Sequence, residues 1–117
     1  MDVKSFASNY KIFGEIDKIN DEFYKFIEDK GIEIKDVSDI ERVEVKFNKS
    51  LDELIKLCDS SNLDKHMAQV VKARVIVTFH ATLAEKYKLE PYAVIAKLGK
   101  RNEDLFTKSM INLKNLS

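Results

Sequence analysis

Three glycines (Gly14, Gly31, Gly99) and one proline (Pro91) are the only strong breakers in 117 residues. Sandwiches and barrels need a turn signal every ten residues or so, and this chain cannot supply them. Long helices joined by short connections need few. The expected fold is therefore all-α, a compact four- or five-helix bundle forming a single helical domain over 1–117. Apolar residues at 44% are enough for a core, and the composition is not that of a disordered chain. No apolar run approaches the about 20 residues of a membrane helix, so no membrane partner is expected. The start, Met1-Asp2-Val3-Lys4, has no basic-then-apolar layout. Cys58 is the single cysteine and cannot close an internal disulfide, which fits a cytoplasmic setting.

Helical spacing is clearest near the start. Ile12, Ile16, Ile19, Phe23 and Phe26 recur at steps of four and three, with Asp17, Lys18, Asp21, Glu22, Lys25 and Glu28 between them. Val3, Phe6, Tyr10 and Phe13 extend the stripe backwards, Gly14 offers a break, and Gly31 is placed to cap the C-terminus. Residues 32–60 admit two assignments. Val37, Ile40, Val43, Phe47, Leu51, Leu54 and Cys58 follow helical steps, with Ser38 and Glu41 as a capping box. Ile32/Ile34 and Val43/Val45/Phe47 alternate as strands do, and Ser50 with Glu53 makes a second box. That alternative is an α+β fold with a short hairpin at about 32–47. Helix is preferred, because the stretch from Asp36 to Glu41 contains no tight-turn dipeptide.

A further helix is expected from Ser60-Ser61-Asn62 to about Tyr87, with Asp64 at its positive end. Its apolar residues, from Val70 to Ala84, wrap most of the circumference, as in a central or interface helix. The run Val75-Ile76-Val77-Thr78 would also suit a strand. Pro91 opens a short helix that Gly99 closes. Asn102, followed by Glu103 and Asp104, is placed to cap a last helix that buries Leu105, Phe106, Met110, Ile111 and Leu113.

Net charge is zero but unevenly spread. Residues 1–60 hold 15 Asp+Glu against 10 Lys+Arg, net −5, and residues 61–117 hold 5 against 10, net +5. Either the two halves pack on each other or pair across a dimer, or the basic half meets nucleic acid. Metal chemistry finds little to use. His66 and His80 stand 14 residues apart with no ligand pair at helical spacing, and Cys58 is alone. No metal and no cofactor is expected. Glu28-Asp29 and Asp52-Glu53 read as solvated helix surface, and no catalytic residue is assigned.

Two local resemblances bear on function. Ala84, Tyr87, Leu89, Pro91, Val94 and Leu98 have the spacing of a helix-turn-helix, and residues 81–101 resemble that motif of bacterial and phage regulators. The resemblance implies a DNA-binding regulator in which Lys86, Lys88, Lys97, Lys100 and Arg101 hold phosphates. Lys88 replaces the usual turn glycine. The outward positions Tyr92, Ala93, Ile95 and Ala96 carry no donor that reads a base edge. Separately, Arg74 and His80 resemble the Arg-x(4–6)-His signature of HEPN-type ribonucleases, which implies a shared cleft acting on RNA.

Apolar residues in excess of the core point elsewhere. Tyr92 and Ile95, with Phe6 and Tyr10 of the first stripe, are the candidate partner-binding residues. The leading expectation is a small non-catalytic helical protein working through protein–protein contacts, as a regulator, adaptor or inhibitor of a larger assembly, and forming a homodimer. A DNA-binding regulator using 81–101 is the alternative, and a HEPN-like ribonuclease the third.

Overall fold

A computed structural model describes residues 3–116, with side chains described from Lys11 to Leu116. The order is α1 (Val3–Asp29), a 3₁₀ helix (Val37–Arg42), α2 (Glu44–Asp59), α3 (Lys65–Lys86), α4 (Pro91–Leu98) and α5 (Lys100–Leu116). The fold is all-α. Helix α1 packs on α2, α2 on α3, and α3 on α5, while α4 rests on α3, α5 and the 3₁₀ helix.

The periodicity of α1 appears directly in its burial. Ile12, Ile16, Phe23 and Ile27 are in the core, with Ile19 and Phe26 packed at its edge. Helix α1 runs through Gly14 without a break. At its end the amide of Gly31 bonds Glu28 O at 3.0 Å and that of Ile32 bonds Ile27 O at 3.1 Å. These are the two bonds of a Schellman cap, and Gly31 takes the left-handed conformation at φ +64.

Within residues 32–60 the chain forms the 3₁₀ helix Val37–Arg42 and then α2, Glu44–Asp59, and the spacing explains how. Val37, Ile40 and Val43 are three apart, the period of a 3₁₀ helix, whose side chains at i and i+3 eclipse. From Val43 onward the steps become four, four, three and four, the α period. The bonding changes at the same residue: Val43 N donates to Ile40 O, then Phe47 N donates to Val43 O. Ile40, Val43, Phe47, Leu51 and Leu54 are all 0% exposed. The capping box falls two residues earlier than expected, on Asp36 and Asp39 rather than Ser38 and Glu41. Asp39 accepts from the amides of Lys35 and Asp36, which hold its carboxyl below the usual range. Ser50 caps nothing and is buried inside α2. No hairpin is present among the described residues, and Ile32 and Ile34 lie in the extended connection before the 3₁₀ helix.

Helix α3 starts one residue after Asp64, whose side chain accepts from Met67 N at 2.9 Å. It contacts α2, α4 and α5, which explains why its apolar residues surround it. The stretch Val75–Thr78 is helical, its strand propensity overridden by burial on several sides. Charge follows the same logic. Lys72–Asp59, Lys97–Glu41 and Arg101–Asp52 each join an acid of the first half to a base of the second. The asymmetry along the sequence is largely spent inside the molecule.

The turn after α3 repeats the cap of α1 without glycine. Leu89 N bonds Ala84 O at 2.9 Å, Lys88 N bonds Glu85 O at 3.1 Å, and Lys88 sits at φ +57. A side chain in that region costs about 1 kcal/mol or somewhat more. Lys88→Gly should therefore stabilise the protein by roughly 0.5–1 kcal/mol, read as a raised urea midpoint with an unchanged slope.

The step from α4 to α5 differs from expectation. Gly99, at φ 107, is the single residue between them, and its carbonyl accepts from the amides of both Asn102 and Glu103. Helix α5 thus begins at Lys100, so Asn102 lies inside the first turn and is 0% exposed. Only Asn102 and Ser109 of α5 are fully buried. Leu105, Phe106 and Leu113 are half-buried, and Met110 and Ile111, expected in the core, are exposed.

Candidate functional site

An aromatic chain runs through the molecule. Phe47 of α2 stacks on Phe79 of α3 at 4.5 Å between ring centroids, and Phe23 of α1 meets both edge-on. His80 continues it edge-on to Phe47 at 5.0 Å, then Phe106 of α5, then Tyr92 of α4. One end, Tyr92, is 70% exposed. The other end, Tyr24 beside Phe23, lines an open groove between α1 and α3.

That groove encloses about 780 Å³. Ile16, Tyr24, Val75 and Phe79 line its apolar part; Asp17, Asn20 and Asp21 come from α1, and Arg74, Thr78, Thr82, Glu85 and Lys86 from α3. It exists because α1 and α3 both pack on α2 and barely on each other. Lys86 Nζ stands 4.5 Å from the centre of the Tyr24 ring, a cation–π contact. The Tyr24 hydroxyl is buried with no hydrogen-bond partner among the described residues. Burial, with Tyr87 adding to it, pushes its pKa up, so the phenol stays neutral. Helical steps place two exposed apolar residues along the same seam: Phe13, four before Asp17, and Met67, seven before Arg74.

The sequence-assigned residues fall in several places. Tyr92 is on the surface. Ile95, expected on the surface, is 2% exposed and belongs to the core. Helix α4 is two turns long and packed on three sides, which leaves Tyr92 and Ala96 outside and draws Val94, Ile95 and Leu98 inside. The side chains of Phe6 and Tyr10 lie outside the described residues.

The helix-turn-helix segment has the expected order, α3, a four-residue turn, then α4. Its cations are mostly engaged: Lys97 with Glu41 at 3.1 Å, Lys100 with Asp104 at 3.2 Å, Arg101 with Asp52, and Lys86 with the Tyr24 ring. Lys88 is exposed at the left-handed turn.

Arg74 and His80 are not brought together. Arg74 is exposed on the groove, whereas His80 is 0% exposed and lines none of it. The His80 ring lies between two oxygens, with Nδ1 2.8 Å from Ile76 O and Nε2 3.1 Å from Asn102 Oδ1. The Asn102 amide nitrogen is held by Asn48 Oδ1 at 2.9 Å and Leu98 O at 3.1 Å. Since Leu98 O can only accept, the amide cannot turn round without setting two oxygens together. A neutral imidazole has one N–H for two acceptors. Burial pushes the His80 pKa down, outweighing those two partners, which favour the charged ring; nearby Arg101 lowers it further. This is a structural polar cluster closed to solvent.

Cys58 is likewise buried, and burial, then Asp59, raises its thiol pKa. No group of three or more His, Cys, Asp or Glu residues placed to hold a metal occurs among the described residues. No described helix is long and apolar enough to cross a membrane. The sequence reading missed the groove. Its signals were Tyr24, set off the α1 stripe beside Phe23, and the Thr78/Thr82 step on α3.

Comparison with protein-family models, with curated proteins and with solved structures found no match.

Proposed function

We propose that this chain acts by binding a protein, as a non-catalytic regulator, adaptor or inhibitor of a larger assembly, and that the α1–α3 groove is the contact surface. The observation that carries this is the groove's make-up. Ile16, Tyr24, Val75 and Phe79 line it together with charged and polar residues of both helices, and the exposed Phe13 and Met67 stand at helical spacing from Asp17 and Arg74. Protein-binding surfaces combine apolar and polar side chains in that way. Tyr92, edge-on to Phe106, adds a smaller apolar spot on α4.

The DNA-binding alternative draws less support, because the cations it needs are largely paired within the chain and Ile95 is inside. The ribonuclease reading has Arg74 and His80 on different sides of α3.

The test is a photo-cross-linking amino acid at Thr78, in the groove, compared with one at Thr107 on α5. Both positions are exposed. Irradiation in cells is expected to give a discrete protein adduct from Thr78 and none from Thr107. Equal adducts from both, or none from either, would overturn the groove as the contact surface. In parallel, a mobility shift with mixed duplex DNA is expected to vanish at physiological salt; one that survives would promote the helix-turn-helix reading.

A further inference from the structure

We propose that the partner in the α1–α3 groove is a second copy of this chain, packed about a two-fold axis so that α1 of each copy lies over α3 of the other. This rests on the protein-contact reading and names its partner. The charges of the two walls carry it. The α1 wall presents Asp17 and Asp21, whereas the α3 wall presents Arg74 and Lys86, with Glu85 beside them. An interface about a two-fold axis shows the same patch from both sides. A patch of one sign would repel its own copy, but one split into an acidic and a basic wall meets itself with opposite signs twice over.

The state of those charges in the single chain agrees. Lys72, Lys97 and Arg101 find acids within the molecule. Asp17, Asp21 and Arg74 take part in no ion pair among the described residues and stand exposed on the groove. Apolar surface is present where such a pairing would bury it, since Phe13 is 51% and Met67 44% exposed. The dimensions suffice. From Met67 to Lys86 the seam is about 29 Å long at 1.5 Å per residue. Two helices of about 10 Å diameter side by side give roughly 600 Å² per copy, or about 1,200 Å² in all, the lower bound of stable interfaces.

The experiment is sedimentation equilibrium of the full chain over a wide concentration range, with circular dichroism confirming that each variant is folded. The wild-type mass is expected to rise toward twice the 13.5 kDa of one chain. Arg74→Glu and Asp17→Arg, each alone, should weaken association about tenfold by setting like charges together at two symmetric places. The two together should restore it, because the walls are then complementary again, while Thr107→Glu should change nothing. A chain that stays monomeric at every concentration would overturn the proposal. So would a dimer indifferent to both reversals, or one the double variant fails to rescue. A monomer that still yields a Thr78 adduct of some other mass would overturn self-association while leaving the protein-contact reading intact. Failure of both experiments removes both.

Discussion

Phe47→Ala is expected to cost about 3–5 kcal/mol and to lower the melting temperature by roughly 12–20 °C. Phe47 is 0% exposed and stands where α1, α2 and α3 meet. Its ring stacks on Phe79, takes the edge of Phe23, and covers one side of His80. Removing the ring deletes the transfer free energy of a large side chain and the aromatic contacts with it. It also leaves a cavity among side chains from three helices that cannot collapse independently. A small domain is stable by only about 5–15 kcal/mol, so this one change threatens the fold. Val45→Ala, on the same helix but at a site 84% exposed, should move stability by less than about 0.5 kcal/mol. Thermal unfolding of the two variants side by side tests whether the aromatic chain is the mechanical centre. Comparable losses, or a Phe47→Ala loss under about 1.5 kcal/mol, would count against it.

What could be read from the chain depended on how local its cause was. The stripe Ile12 to Phe26, the helical steps from Val37 to Cys58, Pro91 opening α4 and Gly31 ending α1 are decided by residues within a few positions of each other. Sequence carries that kind of information well. Ile95 was misplaced for the opposite reason. A two-turn helix has no outward face of its own, and which residues it hides depends on the 3₁₀ helix, α3 and α5 around it. Asn102 shows the same limit more sharply. It satisfies every local rule for an N-cap, yet Gly99 supplies the turn, and the side chain is held by Asn48 and His80, 54 and 22 residues away. The groove was illegible because it is produced by two helices that pack on α2 and meet each other only through a few side chains, such as Phe23 and Phe79, and no periodicity in either one reports that.

Asn102→Leu should destabilise the protein by about 2–3 kcal/mol, although it replaces a buried polar residue with an apolar one of similar size. The loss comes from what remains: His80 Nε2, Asn48 Oδ1 and Leu98 O all lose a partner, and stranded buried polar groups cost about 1–3 kcal/mol each where they cannot relax. Adding His80→Leu should recover part of that loss, because one of the stranded groups is then gone; the two changes must therefore be non-additive. The same pair of residues sets a pH dependence. Unfolded, the imidazole titrates near 6.5, and burial holds it lower in the folded chain. Below 6.5 the unfolded state gains a proton that the folded state refuses. Stability is therefore complete above that pH and falls on acidification, by at most about 1.4 kcal/mol per pH unit, until the folded pKa is passed. His80→Leu removes the group and should flatten that part of the profile between pH 7 and the onset of carboxylate protonation. A wild-type profile with no slope there, or an unchanged slope in His80→Leu, would mean that the His80 ring binds its proton alike in the folded and unfolded chain, against a burial that holds it neutral.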